Sequence, residues 1–261
     1  MVGQISIQEV SKEFVNPDAS KENIHALNGF SLDIEPGTFI SLIGPSGCGK
    51  STLLRLIGGL DNPSSGAIYL DGKKIEKPGS DRGFAFQGSN LFPWLTVEKN
   101  IAFGLKARHI YKDSQKDVEE FINLVGLGGF EKSYPHQLSG GMQQRASLAR
   151  ALVGHPSVLL LDEPLGALDA FTRMNLQDEI LDIWKKYNMT VIMVTHDVDE
   201  AIYMSDQVVV MSARPSKVEI VIDIDLPRSR ARAQDTFQEY RSKILEILNF
   251  GGKIEEVEYY L

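Results

Sequence analysis

The sequence predicts an α/β fold in which a mostly parallel sheet lies between helices. Three fully apolar, β-rich runs, at residues 158–161, 191–194 and 208–211, are separated by segments with helical periodicity. This alternation is typical of parallel strands that are covered on both faces. Residues 5–10 instead alternate apolar and polar side chains, which predicts a strand with one buried face.

A different pattern occupies residues 88–155. Amphipathic helical patterns at 113–125 and 142–153 each end at a glycine, and β-rich sequence flanks the whole stretch. We therefore expect one domain over residues 1–261 that contains an inserted helical subdomain. The predicted parts are a core subdomain at 1–87 and 156–225, the helical subdomain at 88–155, and a short C-terminal helical tail at 226–261.

Composition limits the classes of partner. The formal net charge of −8 and the lack of a basic run argue against nucleic acid. The apolar runs are far shorter than the ~20 residues that cross a bilayer, so any membrane association is expected to be peripheral. The single cysteine, Cys48, excludes an internal disulfide. The tail arginines Arg228, Arg230 and Arg232 are expected to form a solvated surface.

A complete phosphate-binding loop follows the apolar run at residues 39–43. The candidate residues are Gly44, Pro45, Ser46, Gly47, Cys48, Gly49, Lys50, Ser51 and Thr52. Glycines let successive backbone N–H groups surround a phosphate, and the helix that follows points its positive end at the same anion. Lys50 adds a charge between the β- and γ-phosphates, and the Ser51 hydroxyl can bind Mg²⁺. The motif thus predicts ATP and Mg²⁺ as cofactors of a P-loop NTPase core.

Acidic residues and a histidine end the other apolar strands. Asp162 and Glu163 follow the run at 158–161, at the sheet edge where such folds bind ligands. Asp162 can contribute to the Mg²⁺ shell, and Glu163 can polarise water for attack on the γ-phosphate. A simple acidic helix cap is the alternative, which the adjacent Pro164 disfavours. His196 closes the run at 191–194 and shares this edge.

Residues 138–145, Leu-Ser-Gly-Gly-Met-Gln-Gln-Arg, resemble the signature sequence of ATP-binding cassette (ABC) proteins. With the phosphate loop and the Asp162–Glu163 pair, three motifs occur in that family's order. The resemblance implies the ABC ATPase fold, with an N-terminal antiparallel β part beside the mostly parallel sheet. It also implies nucleotide contacts from Ser139, Gly140, Gly141 and Gln143. It further implies that Gln87 is the glutamine-loop residue near Mg²⁺ and that His196 is the switch histidine. Asp169 would be the D-loop residue, and Phe14 would be the aromatic that stacks on adenine. On the motif alone, Phe14 could equally be a core residue.

The signature implies a dimer. Ser139 precedes two glycines and a helix, which is a second anion-binding helix start in the same chain. In the family, two subunits pair head to tail, and each ATP lies between one chain's phosphate loop and the other chain's signature. A homodimer that buries two nucleotides is therefore expected. The implied catalytic residues are Glu163, His196, Gln87 and Lys50.

Several stretches resemble a narrower group, the ATPases of bacterial importers for nitrate, sulfonates and taurine. They are residues 86–87, 91–96, 166–170, 195–201 and 226–228, with departures at Gly88 and Leu165. This likeness implies a peripheral location on the cytoplasmic face of the membrane, with an integral permease and, indirectly, an extracytoplasmic substrate-binding protein as partners. The alternatives are a soluble ABC protein that acts on ribosomes, DNA or Fe–S assembly, and a nucleotide-binding module without turnover.

Two further expectations concern accessibility. Cys48 lies at a helix start two residues from Lys50, which favours a reactive thiolate; an inert, buried thiol is the alternative. The loop at residues 88–95 contains Phe92 and Trp94, and we expect it to meet the permease. Burial of both rings in the helical subdomain is the alternative.

Overall fold

Two β-sheets form the frame of the protein in a computed structural model, which describes residues 2–16, 22–166 and 168–248. The strands are β1 (Ile5–Phe14), β2 (Ile24–Ile34), β3 (Phe39–Ile43), β4 (Ser65–Leu70), β5 (Lys73–Lys74), β6 (Arg82–Ala85), β7 (Val158–Asp162), β8 (Thr190–Val194), β9 (Gln207–Met211) and β10 (Val218–Asp223). The helices are α1 (Lys50–Ile57), α2 (Val97–Ile101), α3 (Phe103–Ala107), α4 (Gln115–Leu124), α5 (Gly140–Leu152), α6 (Ala170–Tyr187), α7 (Val198–Met204) and α8 (Asp235–Ile247).

The larger sheet is mostly parallel, as the sequence predicts. Its strand order is β10-β9-β3-β8-β7-β6, and only the pairing of β10 with β9 is antiparallel among these described strands. The smaller sheet, in the order β2-β1-β4-β5, is the predicted antiparallel part. The fold class is thus confirmed.

Strand β7 shows why the apolar runs are continuous. Leu159 and Leu161 pack against the helices on one face, whereas Val158 and Leu160 pack against α1 and the antiparallel sheet on the other. Because both faces are covered, every residue of the strand is buried. Each such leucine contributes roughly 1.5–3 kcal/mol by burial.

The chain between β6 and β7 is helical, and it includes α2 to α5 and a 3₁₀ turn at Pro135–Gln137. Phe121 and Leu148 bring α4 and α5 into the apolar cluster that covers one face of the larger sheet. Where the subdomains begin and end stays a prediction. The predicted ranges also contain residues 1, 17–21, 167 and 249–261, which lie outside the described residues.

The tail packs on the core through α8. Phe237 and Ile244 are fully buried against Ile43, Ala201 and Ile202. The described part of the tail therefore contains a helix that is attached to the core by its apolar face. None of the described helices combines the length and apolar character needed to cross a bilayer.

The tail arginines correct the expectation of a solvated surface. Arg230 is only 6% exposed. Its guanidinium donates hydrogen bonds to the backbone carbonyls of Ile202, Ser205, Ile224 and Leu226. Arg228 is half-buried and donates to the carbonyl of Met204. Arg232 is half-buried and donates to Gln177 Oε1. The expectation was wrong because all three arginines donate to groups of distant segments, which for Arg228 and Arg230 are carbonyls more than twenty residues away.

Candidate active site

The phosphate loop lies between β3 and α1, as the motif requires. The chain enters α1 through Gly49, which has a φ of 118°, and it turns at Gly47 with a φ of 72°. A side chain at Gly47 would also place its Cβ 2.7 Å from Arg214 Nη2. Both positions therefore favour glycine. The loop lines a cleft of about 460 Å³, whose far wall is formed by Glu163 and His196.

Lys50 holds its charge inside the loop. Its side chain is buried, and Nζ donates hydrogen bonds to the carbonyl oxygens of Gly44 (2.8 Å) and Pro45 (3.1 Å). The ammonium lies in the same loop as the glycines that line the cleft, whose backbone N–H groups the motif predicts to surround a phosphate. Together they make an electropositive site suited to a polyphosphate.

Ser51 and Asp162 are joined directly. Ser51 Oγ donates to Asp162 Oδ1 at 2.9 Å. Burial raises the pKa of Asp162, and this hydrogen bond acts in the opposite direction. A hydroxyl and a carboxylate are hard oxygen donors of the kind that Mg²⁺ uses beside nucleotide phosphates, so this pair fits the predicted metal.

Glu163 lies between two other predicted residues. Gln87 Nε2 donates to Glu163 Oε2 at 3.0 Å, and His196 Nδ1 lies 3.6 Å from Glu163 Oε1. Glu163 itself adopts a left-handed backbone with a φ of 47°, which is unfavourable for a residue with a side chain and is often found at functional sites. The structure therefore brings Gln87, Glu163 and His196 together, while the contact of Gln87 with Mg²⁺ stays a prediction.

The neighbouring strands explain this convergence. β6, β7 and β8 are adjacent and parallel, so their carboxyl ends meet at one edge. Gln87 follows β6 by two residues, Glu163 directly follows β7, and His196 follows β8 by two residues.

The signature forms a separate feature. Ser139 caps α5, and its hydroxyl accepts a hydrogen bond from the Met142 N–H at 3.3 Å. Ser139 and Gly140 are exposed. Gly140 and Gln143 line a second cleft of about 360 Å³, which shares Glu163 and His196 with the phosphate cleft. No signature residue is among the described residues that line the phosphate cleft.

Gln143 is engaged within the chain. Its amide donates to the carbonyls of Pro135 (2.9 Å) and Leu138 (3.4 Å), and its oxygen accepts from Ser89 Oγ at 3.0 Å. The side chain therefore joins the signature helix to the loop that follows Gln87. Its contact with a nucleotide stays a prediction.

Phe14 and Asp169 lie in positions that leave their predicted roles open. Phe14 ends β1 with an exposed ring, and Lys12 Nζ lies 5.0 Å from the ring centroid. It is thus not a core residue. Asp169 caps α6 by accepting from the Thr172 N–H at 3.1 Å. Neither lines the phosphate cleft.

Cys48 is buried within the phosphate loop. The side chain is 2% exposed and packs in the apolar cluster under the loop. The burial named in the alternative is therefore correct, whereas the reactivity of the thiol stays a prediction. Cys48 still belongs to the phosphate loop, since it lines the cleft.

The loop at residues 88–95 carries an exposed ring and also a contact that the sequence does not reveal. Trp94 is 70% exposed, which rules out burial of that ring. Arg150 of α5 donates from Nη1 to the Asn90 carbonyl (2.9 Å) and from Nη2 to the Ser89 carbonyl (3.1 Å). The loop is thus attached to the signature helix, and no local pattern near Arg150 marks this contact.

Comparison with known proteins identifies the class. Residues 27–166 match the family model described as ABC transporter. The chain is 50% identical to the aliphatic sulfonates import ATP-binding protein SsuB of Bacillus cereus, over 96% of this chain and 98% of the relative. It is 45% identical to the bicarbonate transport ATP-binding protein CmpC of Synechococcus elongatus, over 97% of this chain and 39% of that protein.

Solved structures agree with this result. The dimeric structure of MJ0796, a bacterial ABC transporter cassette, superposes with a TM-score of 0.75 at 33% identity, covering 85% of this chain and all of that one. A post-hydrolysis dimer of the same cassette, bound to ADP and Pi, gives a TM-score of 0.74 at 32% identity, with the same coverage.

The fold and the site therefore define an ATP-binding cassette. The chain belongs to the ABC transporter family of ATP-binding subunits. It binds ATP, and it is an ATP hydrolase whose reaction is coupled to transport.

Proposed function

We propose that this protein is the ATP-hydrolysing motor of an importer for a small anionic solute of the sulfonate, taurine or nitrate type. The relatives support this class of substrate, since SsuB of Bacillus cereus is named for aliphatic sulfonate import and CmpC for bicarbonate transport. All these solutes are small oxyanions or carry an oxyanion group. The motor is proposed to act at the cytoplasmic face of the membrane with a separate permease and an extracytoplasmic substrate-binding protein.

Two chains are proposed to bind two ATP molecules at a head-to-tail interface. The observation that carries this proposal is the separation of two anion-binding elements in one chain. The phosphate loop has its own cleft, whereas Ser139 and Gly140 are exposed and open at the start of α5. A second chain can supply the missing wall of each nucleotide site. The related cassette structures are both dimeric, which supports a dimer of two chains.

Hydrolysis is proposed to use the residues at the strand ends. Lys50 and the loop amides bind the phosphates, and Ser51 and Asp162 would hold Mg²⁺, which neutralises phosphate charge when bound. Glu163 would polarise the attacking water, and His196 and Gln87 would orient Glu163 and that water. The short contacts of Glu163 with both residues support these roles.

The loop at residues 88–95 is proposed to meet the permease. Trp94 presents a large exposed ring, and Phe92 packs beside it with ring centroids 5.6 Å apart. Exposed aromatic groups of this kind are typical of protein interfaces. Gln143 and Arg150 attach the loop to the signature helix, and Gln87 attaches it to Glu163, so movement here can accompany hydrolysis.

The test uses a deletion strain of the source organism and the substitution Trp94→Asp. The strain is expected to lose growth on an aliphatic sulfonate as sole sulfur source, or on a related oxyanion nutrient, and the wild-type gene is expected to restore it. Trp94→Asp is expected to keep basal ATPase activity but to lose membrane association and uptake. Val221→Asp, a partly exposed apolar position on the remote strand β10, serves as the matched control.

Uptake that survives Trp94→Asp would remove this loop from the permease interface. A deletion strain without any defect in acquiring such nutrients would refute the importer proposal and favour the soluble alternative.

A further inference from the structure

The C-terminal tail contacts the helix that follows His196. α7 begins two residues after His196 and has only seven residues, too few to be stable by itself. At a rise of about 1.5 Å per residue, its far end lies roughly 10 Å from the histidine. The position of this short helix therefore influences the position of His196.

The first end of α7 is fixed by hydrogen bonds of Asp197. Asp197 caps the helix by accepting a hydrogen bond from the Glu200 N–H at 3.1 Å. Arg173 of α6 donates to the other oxygen of Asp197 at 3.3 Å. The Asp197 N–H donates in turn to Thr195 Oγ1 at 3.1 Å. Further along, Ala201, Ile202 and Met204 are fully buried, so packing holds the middle of α7 and hydrogen bonds can fix its last turn.

The other end of α7 is held by arginines of the tail. The last four carbonyl groups of a helix have no partner within it. Here Arg230 Nη1 donates to the carbonyls of Ile202 and Ser205, and Arg228 Nη1 donates to that of Met204 at 2.5 Å. Cations are favoured at this end by the helix dipole.

Arg230 joins this helix end to the chain that leaves β10. Its Nε donates to the Leu226 carbonyl at 3.2 Å, and Nη2 donates to the Ile224 carbonyl at 3.1 Å. Burial lowers the pKa of Arg230 to about 10, so the group keeps its charge near neutral pH. A buried cation that binds carbonyls on two segments fixes their relative position, and its loss would leave several carbonyls without partners.

We propose that Arg230 is a positioning residue for ATP hydrolysis: it fixes the end of α7 and thereby the placement of His196 beside Glu163. The proposal rests on the role of His196 given under the proposed function. The tail would then act on turnover without touching the nucleotide. Small displacements of a catalytic group lower the rate strongly, whereas the phosphate loop and its affinity for ATP are unaffected.

The test compares Arg230→Met, His196→Ala and the double variant by steady-state ATP hydrolysis. We expect Arg230→Met to lower kcat by at least about tenfold while KM for ATP changes by less than about twofold. A residue needed only for folding would reduce the active fraction and the thermal stability, so kcat is expressed per ATP-binding site from a nucleotide titration. On that basis a purely structural role leaves both kcat and KM unchanged. Arg241→Met is the matched control. It breaks a half-exposed ion pair between Arg241 of α8 and Asp199 of α7, so it also removes a tail arginine that contacts α7.

The double variant distinguishes the possible failures. If Arg230 acts through His196, then Arg230→Met adds no further loss to His196→Ala, whereas independent roles give multiplied losses and overturn the proposal. If Arg230→Met has a normal kcat while His196→Ala is impaired, the proposal for Arg230 is overturned and the proposed role of His196 stands. Near-normal hydrolysis in His196→Ala refutes the proposed role of the histidine as well.

If Arg230→Met does not fold, Arg230→Lys replaces it in the same kinetic comparison. Lysine keeps the charge but cannot reproduce the forked hydrogen bonds, so a lower kcat at unchanged KM supports the proposal. A wild-type kcat in that variant overturns it.

Discussion

Replacing Glu163 with glutamine tests the proposed hydrolytic base with little disturbance of its surroundings. The amide has the size of the carboxylate, and its oxygen can still accept the hydrogen bond that Gln87 now donates at 3.0 Å. The left-handed backbone is equally available to glutamine. The change therefore removes the negative charge that would polarise water and leaves the packing in place.

The expected loss follows from the size of general-base catalysis, which contributes about 10²–10⁴-fold. We expect kcat to fall by at least about 100-fold, which corresponds to roughly 2.7 kcal/mol in activation free energy. ATP binding is expected to persist because Lys50 and the loop amides are unchanged. Because ATP then stays bound without being hydrolysed, a dimer of the protein should also accumulate.

The assay combines phosphate release at saturating ATP, an ATP-binding titration and size-exclusion chromatography with ATP and Mg²⁺. Glu120→Gln is the control, because Glu120 is a surface carboxylate paired with Lys186 at 2.9 Å. Near-normal phosphate release by a folded, ATP-binding Glu163→Gln protein would remove Glu163 from the proposed role.

A substitution and a labelling experiment test the phosphate loop. Lys50→Ala is expected to raise the Kd for ATP by at least about tenfold, because hydrogen bonds to charged groups contribute roughly 1.5–3 kcal/mol. A nucleotide titration measures this Kd. An unchanged Kd would contradict the placement of the Lys50 charge beside the phosphates. Cys48 is expected to react with maleimide slowly in the native protein and completely after unfolding, because its side chain is buried. Mass spectrometry measures the labelling of Cys48. Fast labelling in the native protein would contradict this expectation and would show that the phosphate loop opens readily.

Local patterns were sufficient to predict the phosphate site. The run at residues 39–43, the glycines and the leucines of α1 lie within twenty residues of one another, and the strand β3 and helix α1 occur where these patterns place them. The motif needs the strand before it and the helix after it, both of which are set by nearby sequence. The signature helix could be predicted for the same reason, since Ser139 caps it directly.

The contacts across the site could not be predicted residue by residue. Gln87 and Glu163 are 76 residues apart and meet because β6 lies beside β7 in the sheet. Apolar runs predict strands but not their order. The position of Glu163 opposite both Gln87 and His196 therefore depends on a strand order that no pattern in the sequence specifies.

The tail arginines show a different limit. A short, interrupted basic stretch in an ordinary protein is a solvated surface, and this general expectation fails for Arg230. The carbonyls that it binds at Ile202 and Ser205 belong to a helix end more than twenty residues away. Charge alone cannot predict burial when the partner is backbone, because every helix end offers the same carbonyl groups.

The buried carboxyl of Glu200 gives a pH dependence whose sign can be stated. Glu200 is 5% exposed, and burial raises its pKa; a hydrogen bond from Thr195 opposes the shift, and the charge of Asp197 adds to it. Because its pKa is higher in the folded than in the unfolded chain, the folded state retains the proton longer. Its contribution to stability is thus complete below the unfolded pKa and is lost as pH rises through the folded pKa.

Glu200→Gln cannot ionise, so its thermal midpoint is expected to rise relative to that of the wild type between about pH 4 and pH 8, with little difference at the acidic end. Glu120→Gln provides a control of opposite sign, because the hydrogen bond from Lys186 lowers the pKa of Glu120. That group contributes stability above its unfolded pKa, so its replacement should give no gain at higher pH. Parallel pH profiles for wild type and Glu200→Gln would mean that Glu200 ionises in the folded protein without cost, which its burial beside Asp197 argues against.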